Sequence, residues 1–278
     1  MSSGSNIDVW QGDALIDSWA TQATGEFVLA VDSTVRTYAQ GFAAAQSLES
    51  YEYSLDGTPT GASYTNTAGC CFRDGTTDGA HNYAVNQLGV FEFNADWTNP
   101  QILFGGGYAN SGIAYDSSND SFWYAPPNTN LLINASRGSS GFSNAFYTTR
   151  LVTSFNGFNA LAFDPADQTL WVYQFAGSFN NSYLEQYSTE PNTQGSVVRT
   201  PMSTLAVGAR TYYSAEFALE PNGDTPGSTP VPEPTSIALL ALGLLGLAAT
   251  RPRCRTVSFL PATTQNSPVI PSAPAHST

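Results

Sequence analysis

A weak internal repeat of short strands constrains this chain more than any other feature. The stretches Gly69-Cys70-Cys71-Phe72-Arg73-Asp74, Gly112-Ile113-Ala114-Tyr115-Asp116 and Ala160-Leu161-Ala162-Phe163-Asp164 each read as an apolar strand closing on an aspartate. A turn and a second strand come after each one: His81 to Val85, Ser121 to Ala125 and Thr169 to Phe175. A third element recurs in Tyr51-Glu52-Tyr53-Ser54-Leu55-Asp56, Phe91-Glu92-Phe93-Asn94-Ala95-Asp96 and Leu184-Glu185-Gln186-Tyr187-Ser188-Thr189. Each runs through a polar turn into another short apolar stretch, such as Gln101 to Phe104 or Ser196 to Arg199. Ile113 and Leu161 are 48 positions apart. Units of this length with four short strands each are the pattern of propeller blades, which must stack on one another to bury their faces.

On this reading residues 26–66, 67–108, 109–156 and 157–205 are four units of a β-rich domain spanning 26–220. The segment Ala215-Glu216-Phe217-Ala218-Leu219 reads as a further first strand that closes the ring. The expected fold is therefore all-β, a small propeller of four or five blades, the fifth requiring a blade lost from a truncated N-terminus. A two-sheet β-sandwich is the alternative, because its strands also arrive every 8 to 12 residues. Long helices are not expected over 20–220, where Gly, Pro, Asn and β-branched residues interrupt every helical period; Gly41 to Ser50 has room for a turn or two. The hairpin Asp164-Pro165-Ala166-Asp167-Gln168-Thr169-Leu170-Trp171 resembles the first hairpin of extracellular β-propeller repeats. Residues 221–230 are a Pro/Gly/Ser/Thr linker that would hold the body away from the segment beyond it.

That C-terminal segment reads as an address. Val231-Pro232-Glu233-Pro234-Thr235-Ser236 precedes the apolar run Ile237 to Ala249 and then the basic cluster Arg251, Arg253 and Arg255. Pro232 and Pro234 lack backbone N–H groups and disfavour helix in the residue before each, so the box is extended, as a processing enzyme's active site requires. Thr235 or Ser236 suits the cap of the helix that starts next. From Pro234 to Thr250 there are seventeen uncharged positions, at the short end of the roughly 17 to 25 that cross a bilayer. By the positive-inside bias the arginines stay in the cytoplasm and residues 1–230 lie outside it.

Residues 231–255 together resemble the PEP-CTERM signal of exosortase-processed bacterial surface proteins, in which a Pro-Glu-Pro box precedes one membrane span and an arginine cluster. The resemblance implies export, recognition of Val231, Pro232, Glu233 and Pro234 by an exosortase-type protease, and anchoring at the cell envelope by one C-terminal helix before processing. It also implies association with exopolysaccharide and biofilm matrix. An ordinary unprocessed C-terminal anchor is the alternative. Two features depart from the pattern. Residues 256–278 extend past the basic cluster with four prolines and many small polar residues, a composition that predicts disorder. Residues 1–25 begin Met1-Ser2-Ser3-Gly4-Ser5-Asn6, with neither a basic region nor an apolar core of a secretion signal, so the true start is expected upstream.

Composition agrees with export. Residues 1–230 carry 21 acidic residues against six arginines, fifteen negative charges net, and the whole chain has no lysine. Such a surface repels nucleic acid, and lysine chemistry is excluded. Partners are expected among neutral glycans, cations and basic proteins. His81 is the only histidine before the sorting signal, which rules out histidine-rich metal sites and leaves a Ser/His/Asp triad one candidate; a packing role on a strand is the expectation.

Three kinds of site remain. Glu52, Glu92 and Glu185 hold equivalent places in three units, which a propeller would bring toward one axis for acid–base work on a glycan, unless they mark the solvent face. The turns Asp74 to Gly79 and Asp116 to Asp120 place the carboxylates of Asp74, Asp78, Asp116 and Asp120 where calcium would take them, although Asp favours turns for its own backbone bonds as well. Aromatic residues cluster from Tyr108 to Tyr147, and strand alternation in Phe122-Trp123-Tyr124 points at least one of them outward; Trp123, Tyr124 and Tyr147 are the candidates for stacking on sugar rings. Cys70 and Cys71 are neighbours on an expected strand, so they should face opposite sides without a mutual bond. The body is thus expected to be a non-catalytic module that binds glycan or protein, without a cofactor other than calcium. A carboxylate-dependent extracellular hydrolase or lyase and a structural coat protein are the alternatives.

Overall fold

A computed structural model describes residues 1–218 apart from 42–46, 106–111, 127–128, 138–141, 150–159, 176–181, 191–196 and 209. The linker, the box Val231 to Pro234, the apolar run, Arg251, Arg253, Arg255 and the tail 256–278 lie outside the described residues, as do about half of the positions Gly41 to Ser50. Among the described residues there is no helix long and apolar enough to cross a membrane.

The body is a four-bladed propeller. Blade 1 is a sheet of β3 (Val28–Val31), β4 (Thr34–Tyr38), β5 (Glu49–Ser54) and β6 (Pro59–Thr65). Blade 2 holds β7 (Asp74–Thr77), β8 (His81–Asn86), β9 (Gly89–Asn94) and β10 (Gln101–Gly105). Blade 3 holds β11 (Ile113–Asp116), β12 (Ser121–Tyr124), β13 (Leu131–Ser136) and β14 (Phe142–Thr148). Blade 4 holds β15 (Leu161–Asp164), β16 (Thr169–Phe175), β17 (Ser182–Ser188) and β19 (Ser203–Gly208). Within each blade the strands run antiparallel in chain order. Between β17 and β19 the chain visits blade 3, where β18 (Val198–Arg199) pairs in parallel with β14; the stretch Ser196 to Arg199, expected to close unit 4, therefore contributes Val198–Arg199 to blade 3, and Ser203–Gly208 takes its place in blade 4. An N-terminal hairpin, β1 (Asn6–Gln11) with β2 (Ala14–Ala20), forms its own two-stranded sheet. Its inward residues bridge the ring: Trp10 packs with blade 4, Ile7 and Trp19 with blade 1.

Two faces of each blade are covered by its neighbours, and this explains how β12 is packed. Phe122 joins Tyr83, Val85 and Val90 of blade 2, whereas Trp123 joins Leu161, Phe163, Leu170 and Tyr187 of blade 4. Alternation therefore assigns successive side chains to successive blades instead of to core and solvent, and Trp123 and Tyr124 are 1% and 0% exposed. No residue of this trio turns outward.

The first strands line the axis, and they are joined through side chains. Asp74, completely buried at the start of β7, accepts from the N–H groups of Ile113 and Leu161 at 2.8 Å each through Oδ2. Its Oδ1 accepts from Ser214 Oγ at 2.6 Å, Gly75 N at 2.9 Å and Ala215 N at 3.3 Å. Ser214 Oγ in turn accepts from Leu29 N of blade 1 at 3.0 Å, and Thr76 Oγ1 accepts from Tyr115 N at 3.0 Å. All four blades thus meet on two side chains. Gly75 has no room for a side chain: a Cβ there would lie 2.3 Å from Val28 Cγ1 and 2.8 Å from the carbonyl oxygens of Leu29 and Tyr83.

Three sequence expectations change here. Ser214 bridges Ser2 in antiparallel fashion and Ala215 to Ala218 form no strand, so the terminal segment fills the centre of the ring instead of starting a further blade. The first strand of unit 2 begins at Asp74, whereas the sequence pattern places it over Gly69 to Asp74. Cys70 and Cys71, set by this shift in the loop before β7 with Cys71 in the left-handed region, are joined by a disulfide.

Replacing Asp74 by Asn leaves one side-chain oxygen for five donors and turns an NH2 toward the rest. An unsatisfied buried donor costs about 1–3 kcal/mol, so at about pH 8, where Asp74 is ionised, Asp74→Asn is expected to lower the urea midpoint by an amount corresponding to about 3 kcal/mol or more; an unchanged midpoint would show that the hub is dispensable.

Candidate functional site

At the end of the propeller that carries the turns between first and second strands, an open cleft of about 480 Å³ lies between blades 3 and 4. Its two walls come from equivalent hairpins. In blade 3 Asp116 closes β11 and its Oδ1 accepts from Ser118 N at 3.0 Å and Ser118 Oγ at 2.6 Å, the aspartate turn that the sequence favours. In blade 4 Asp164 Oδ1 accepts from Ala166 N at 2.9 Å, and Asp167 Oδ1 accepts from Thr169 N at 3.1 Å and its hydroxyl at 2.5 Å. Each turn ends on a residue in the left-handed region, Asp120 and Gln168. Ser188, Thr189 and Glu190 complete the blade 4 wall, with Met202 beside them.

The lining is rich in hydrogen-bonding groups. It presents the carboxylates of Asp116, Asp167 and Glu190, the amides of Asn119, Asn134 and Gln168, and four hydroxyls, with Trp123 and Met202 as the apolar part. The indole is held in place: Trp123 Nε1 donates to Asp116 Oδ2 at 3.2 Å, and its ring meets Phe146 edge-on at 5.7 Å. Asn134 Nδ2 donates to Ser121 Oγ at 2.6 Å. A cleft lined by amides, hydroxyls and carboxylates suits a hydroxyl-rich ligand, while Trp123, 1% exposed, supports the wall from the core side. Behind it, Arg199 donates to the carbonyls of Ser188 and Glu190 and lies 4.5 Å from the centre of the Phe146 ring.

Sequence reasoning finds Trp123 and Asp116 separately, one for sugars and one for calcium; the structure puts both in this cleft. Tyr124 is buried in its own blade and offers no face to a ligand. Tyr147, half-buried on β14, lines no part of the cleft. The sequence does not single out Asp167 and Glu190, although the repeat itself, by equating 116–121 with 164–169, contains the signal for Asp167.

The four carboxylates expected at calcium have other employment. Asp74 serves the hub and lies on a strand, not in a turn. Asp78 and Asp120 do come together, on opposite sides of Arg137: the guanidinium bonds to Asp78 and to the Tyr83 hydroxyl, and its Nε lies 3.2 Å from Asp120. Tyr83, Tyr115 and Phe122 surround the cation at 5.2 to 5.9 Å, a favourable setting for arginine. Among the described residues no three His, Cys, Asp or Glu side chains gather with metal-ligand spacing. His81 sits 3.4 Å from Asp78 as part of the same cluster. Glu52, Glu92 and Glu185 fall on β5, β9 and β17, the third strands, well out from the axis. Glu52 accepts from Tyr64 and Thr60, and Glu185 accepts from Tyr187; they do not converge.

The titration behaviour divides by position. At Asp78 burial alone would raise the carboxyl, but bonds from Arg137, His81 N–H, Tyr83 and Ala80 N–H hold it well below the ordinary carboxylate range. Burial pushes Asp74 up to about 7 against the pull of its donors from Ser214, Leu161, Ile113 and Gly75. Burial likewise raises Glu26, whose oxygens accept from Thr37, Ala23 N–H and Tyr53, and pushes Glu216 well above its usual value.

A family-model comparison identifies a PEP-CTERM protein-sorting motif at residues 230–253. The chain therefore carries the signal of an exported, exosortase-processed protein of the bacterial envelope and surface. No curated protein matches the chain. Among solved structures, a chain of the nidogen/laminin complex aligns at 13% identity over 76% of this chain and 78% of its own, with a TM-score of 0.47. Hydrazine synthase of Kuenenia stuttgartiensis aligns at 14% identity over 68% of this chain and 51% of its own, with a TM-score of 0.41. Glutaminyl cyclase of Myxococcus xanthus aligns at 11% identity over 71% of this chain and 82% of its own, with a TM-score of 0.46.

The charge clusters generate two measurements. Arg137→Met strands a largely buried Asp78 carboxylate and is expected to cost about 2–3 kcal/mol in urea unfolding; an unaltered midpoint would contradict the assigned role. The second is the pH profile. The raised carboxyls of Asp74, Glu26 and Glu216 favour folding while protonated, so their contribution is complete below the unfolded value and declines as pH rises from about 4 toward 7. The depressed Asp78 acts the other way, its contribution being lost as pH falls below about 4. The thermal midpoint should therefore fall between about pH 4 and 6, and a rise across that interval would refute the assignment of the buried acids.

Proposed function

We propose that this is a cell-surface protein whose propeller is a non-catalytic glycan-binding module, delivered to the outside by its C-terminal signal and released from its membrane helix by the processing protease. The cleft between blades 3 and 4 carries this reading: its walls of amides, hydroxyls and carboxylates are groups that recognise sugar hydroxyls. The uncharged polar character and acidity of the body fit life among extracellular polysaccharide, with retention in a biofilm matrix as the consequence.

The proposed export geometry places Pro232, Glu233 and Pro234 in the protease, Arg251, Arg253 and Arg255 at the cytoplasmic face, and the linker between body and membrane.

Full-length protein should bind extracellular polysaccharide purified from its own cells, without releasing reducing ends. Asn119→Ala should reduce that binding several-fold; because Asn119 Oδ1 also accepts from the buried Ser121 hydroxyl, it should lower the thermal midpoint slightly as well. Binding that survives this change and a matching Gln168→Ala would remove the cleft from the function; release of reducing ends would establish the hydrolase instead.

A further inference from the structure

The joint between blades 1 and 2 is held differently at its two ends. At the start of β8, Asn82 accepts from Arg36 of blade 1 at 3.4 Å. At the other end of β8 the contact is the loop 66–73, which carries the chain out of blade 1. Asn66 opens this loop, accepting from the Tyr38 hydroxyl at 3.0 Å and donating to the Ala39 carbonyl at 2.7 Å. The N–H groups of Cys71 and Phe72 both donate to the carbonyl of Gln40, at 2.7 and 3.1 Å, and Asn86 Nδ2 donates to the Cys70 carbonyl at 3.2 Å. Phe72 is buried among Tyr38 of blade 1 and Phe91 and Phe93 of blade 2. Asp74 follows directly after Arg73, so the loop leads into the hub. The bond between Cys70 and Cys71 sits where this loop touches both blades.

The backbone around the bond is built for it. Cys71 has a φ of 75°, in the left-handed region that is costly for a residue with a side chain. Gly41 leaves room for the loop: a Cβ there would lie 2.3 Å from the Gly69 carbonyl oxygen and 3.2 Å from Cys70 Cα. Both cysteines are partly exposed. Between chain neighbours the bond closes a ring around a single peptide unit, unlike an ordinary disulfide, and a bond that is both constrained and exposed is open to exchange with thiols. Joining adjacent residues removes little freedom from the unfolded chain. Its contribution to stability therefore arises in the folded loop, which holds the two sulfurs together where an unfolded chain does not. By linkage the bond stabilises that loop in return.

We infer that Cys70 and Cys71 are a redox site: a dithiol while the chain is in the cytoplasm, closed after export by a disulfide-bearing oxidant, reducible again on the folded body, and tightening the joint between blades 1 and 2 when closed. The thiolate of one cysteine attacks the oxidant's disulfide, which forms a mixed disulfide and releases one sulfur; the neighbouring thiolate then displaces the other. Two electrons pass to the oxidant's sulfurs, and the two thiol protons end on the sulfurs released. Cytosolic thiols keep such a pair reduced and the compartments outside oxidise it, so closure of the bond follows the export that the PEP-CTERM motif at 230–253 directs.

The test follows the thiols of the full-length protein, and of the protein recovered from outside its native cells, by alkylation and peptide mapping, which separates Cys70 and Cys71 from Cys254. Protein made in a reducing cytoplasm should have both Cys70 and Cys71 alkylated, and the exported protein neither. Millimolar dithiothreitol without denaturant should open the bond, and oxidised glutathione should restore it. The thermal midpoint should fall by about 2–5 °C on reduction and return on reoxidation. Cys70→Ser combined with Cys71→Ser should show the lower midpoint with or without reductant. Cys71→Gly, which accepts the left-handed backbone, should keep more of the midpoint than Cys71→Ser and respond as little to reductant; it carries the comparison if the double variant does not fold. Free thiols at both positions in the exported protein would overturn the inference. So would a midpoint indifferent to the state of the bond, or a bond that dithiothreitol reaches only after unfolding.

Discussion

Five hydrogen bonds converge on the buried Asp74 carboxylate, from β7 itself, from the first strands of blades 3 and 4, and from Ser214 and Ala215 of the terminal segment. A propeller's innermost strands belong to different sheets and cannot pair through their backbones as ladder neighbours do. Their N–H groups at the axis would be buried without partners, each at a cost comparable to a lost hydrogen bond. One carboxylate placed at the centre satisfies several of them at once and ties the blades to a common point. Ser214 extends the arrangement to blade 1 through Leu29. The cleft inherits its geometry from this centre, because Ile113 and Leu161, which bond to one oxygen of Asp74, open the two strands whose far ends are Asp116 and Asp164.

Around that centre the joints are secured by arginine. The body is strongly acidic and has no lysine, so arginines are the only permanent side-chain cations able to offset carboxylates brought close by blade packing. A guanidinium can serve two carboxylates and stack on rings at the same time, as Arg137 does among Asp78, Asp120, Tyr83 and Phe122.

The strand pattern is legible in the sequence because it is local. Thr169 to Phe175 is a strand with the bounds read from the sequence, and the first three units match blades 1 to 3, whereas unit 4 ends differently because Val198–Arg199 pairs in blade 3 and Ser203–Gly208 closes blade 4. The hub is not legible. Asp74 looks like a turn aspartate because its role depends on partners 39, 87 and 140 residues away in sequence, which no local rule reaches. Trp123 and Tyr124 mislead for a related reason: alternation reads as core against solvent, whereas in a propeller both faces of a middle blade are core. The sulfur bond between Cys70 and Cys71 is hidden by the assumption that both sit on a strand, and the start of the strand at Asp74 removes that premise. Two of the twelve residues lining the cleft, Asp116 and Trp123, are marked in the sequence under two different chemistries; that they share one wall is a fact of the turn after β11 and the bond from Trp123 Nε1.

The C-terminal signal and the folded body describe successive stages of one molecule: a module that folds outside the cytoplasm around its own centre, and an address that is spent in getting it there. The most direct measurement of that account is the C-terminus of the protein isolated from its native cells, by intact mass and peptide mapping. The account predicts an end close to Pro232 to Thr235, with the apolar run Ile237 to Ala249 and residues 256–278 missing from the mature chain. Mature protein that retains peptides from Thr256 to Thr278 would contradict it.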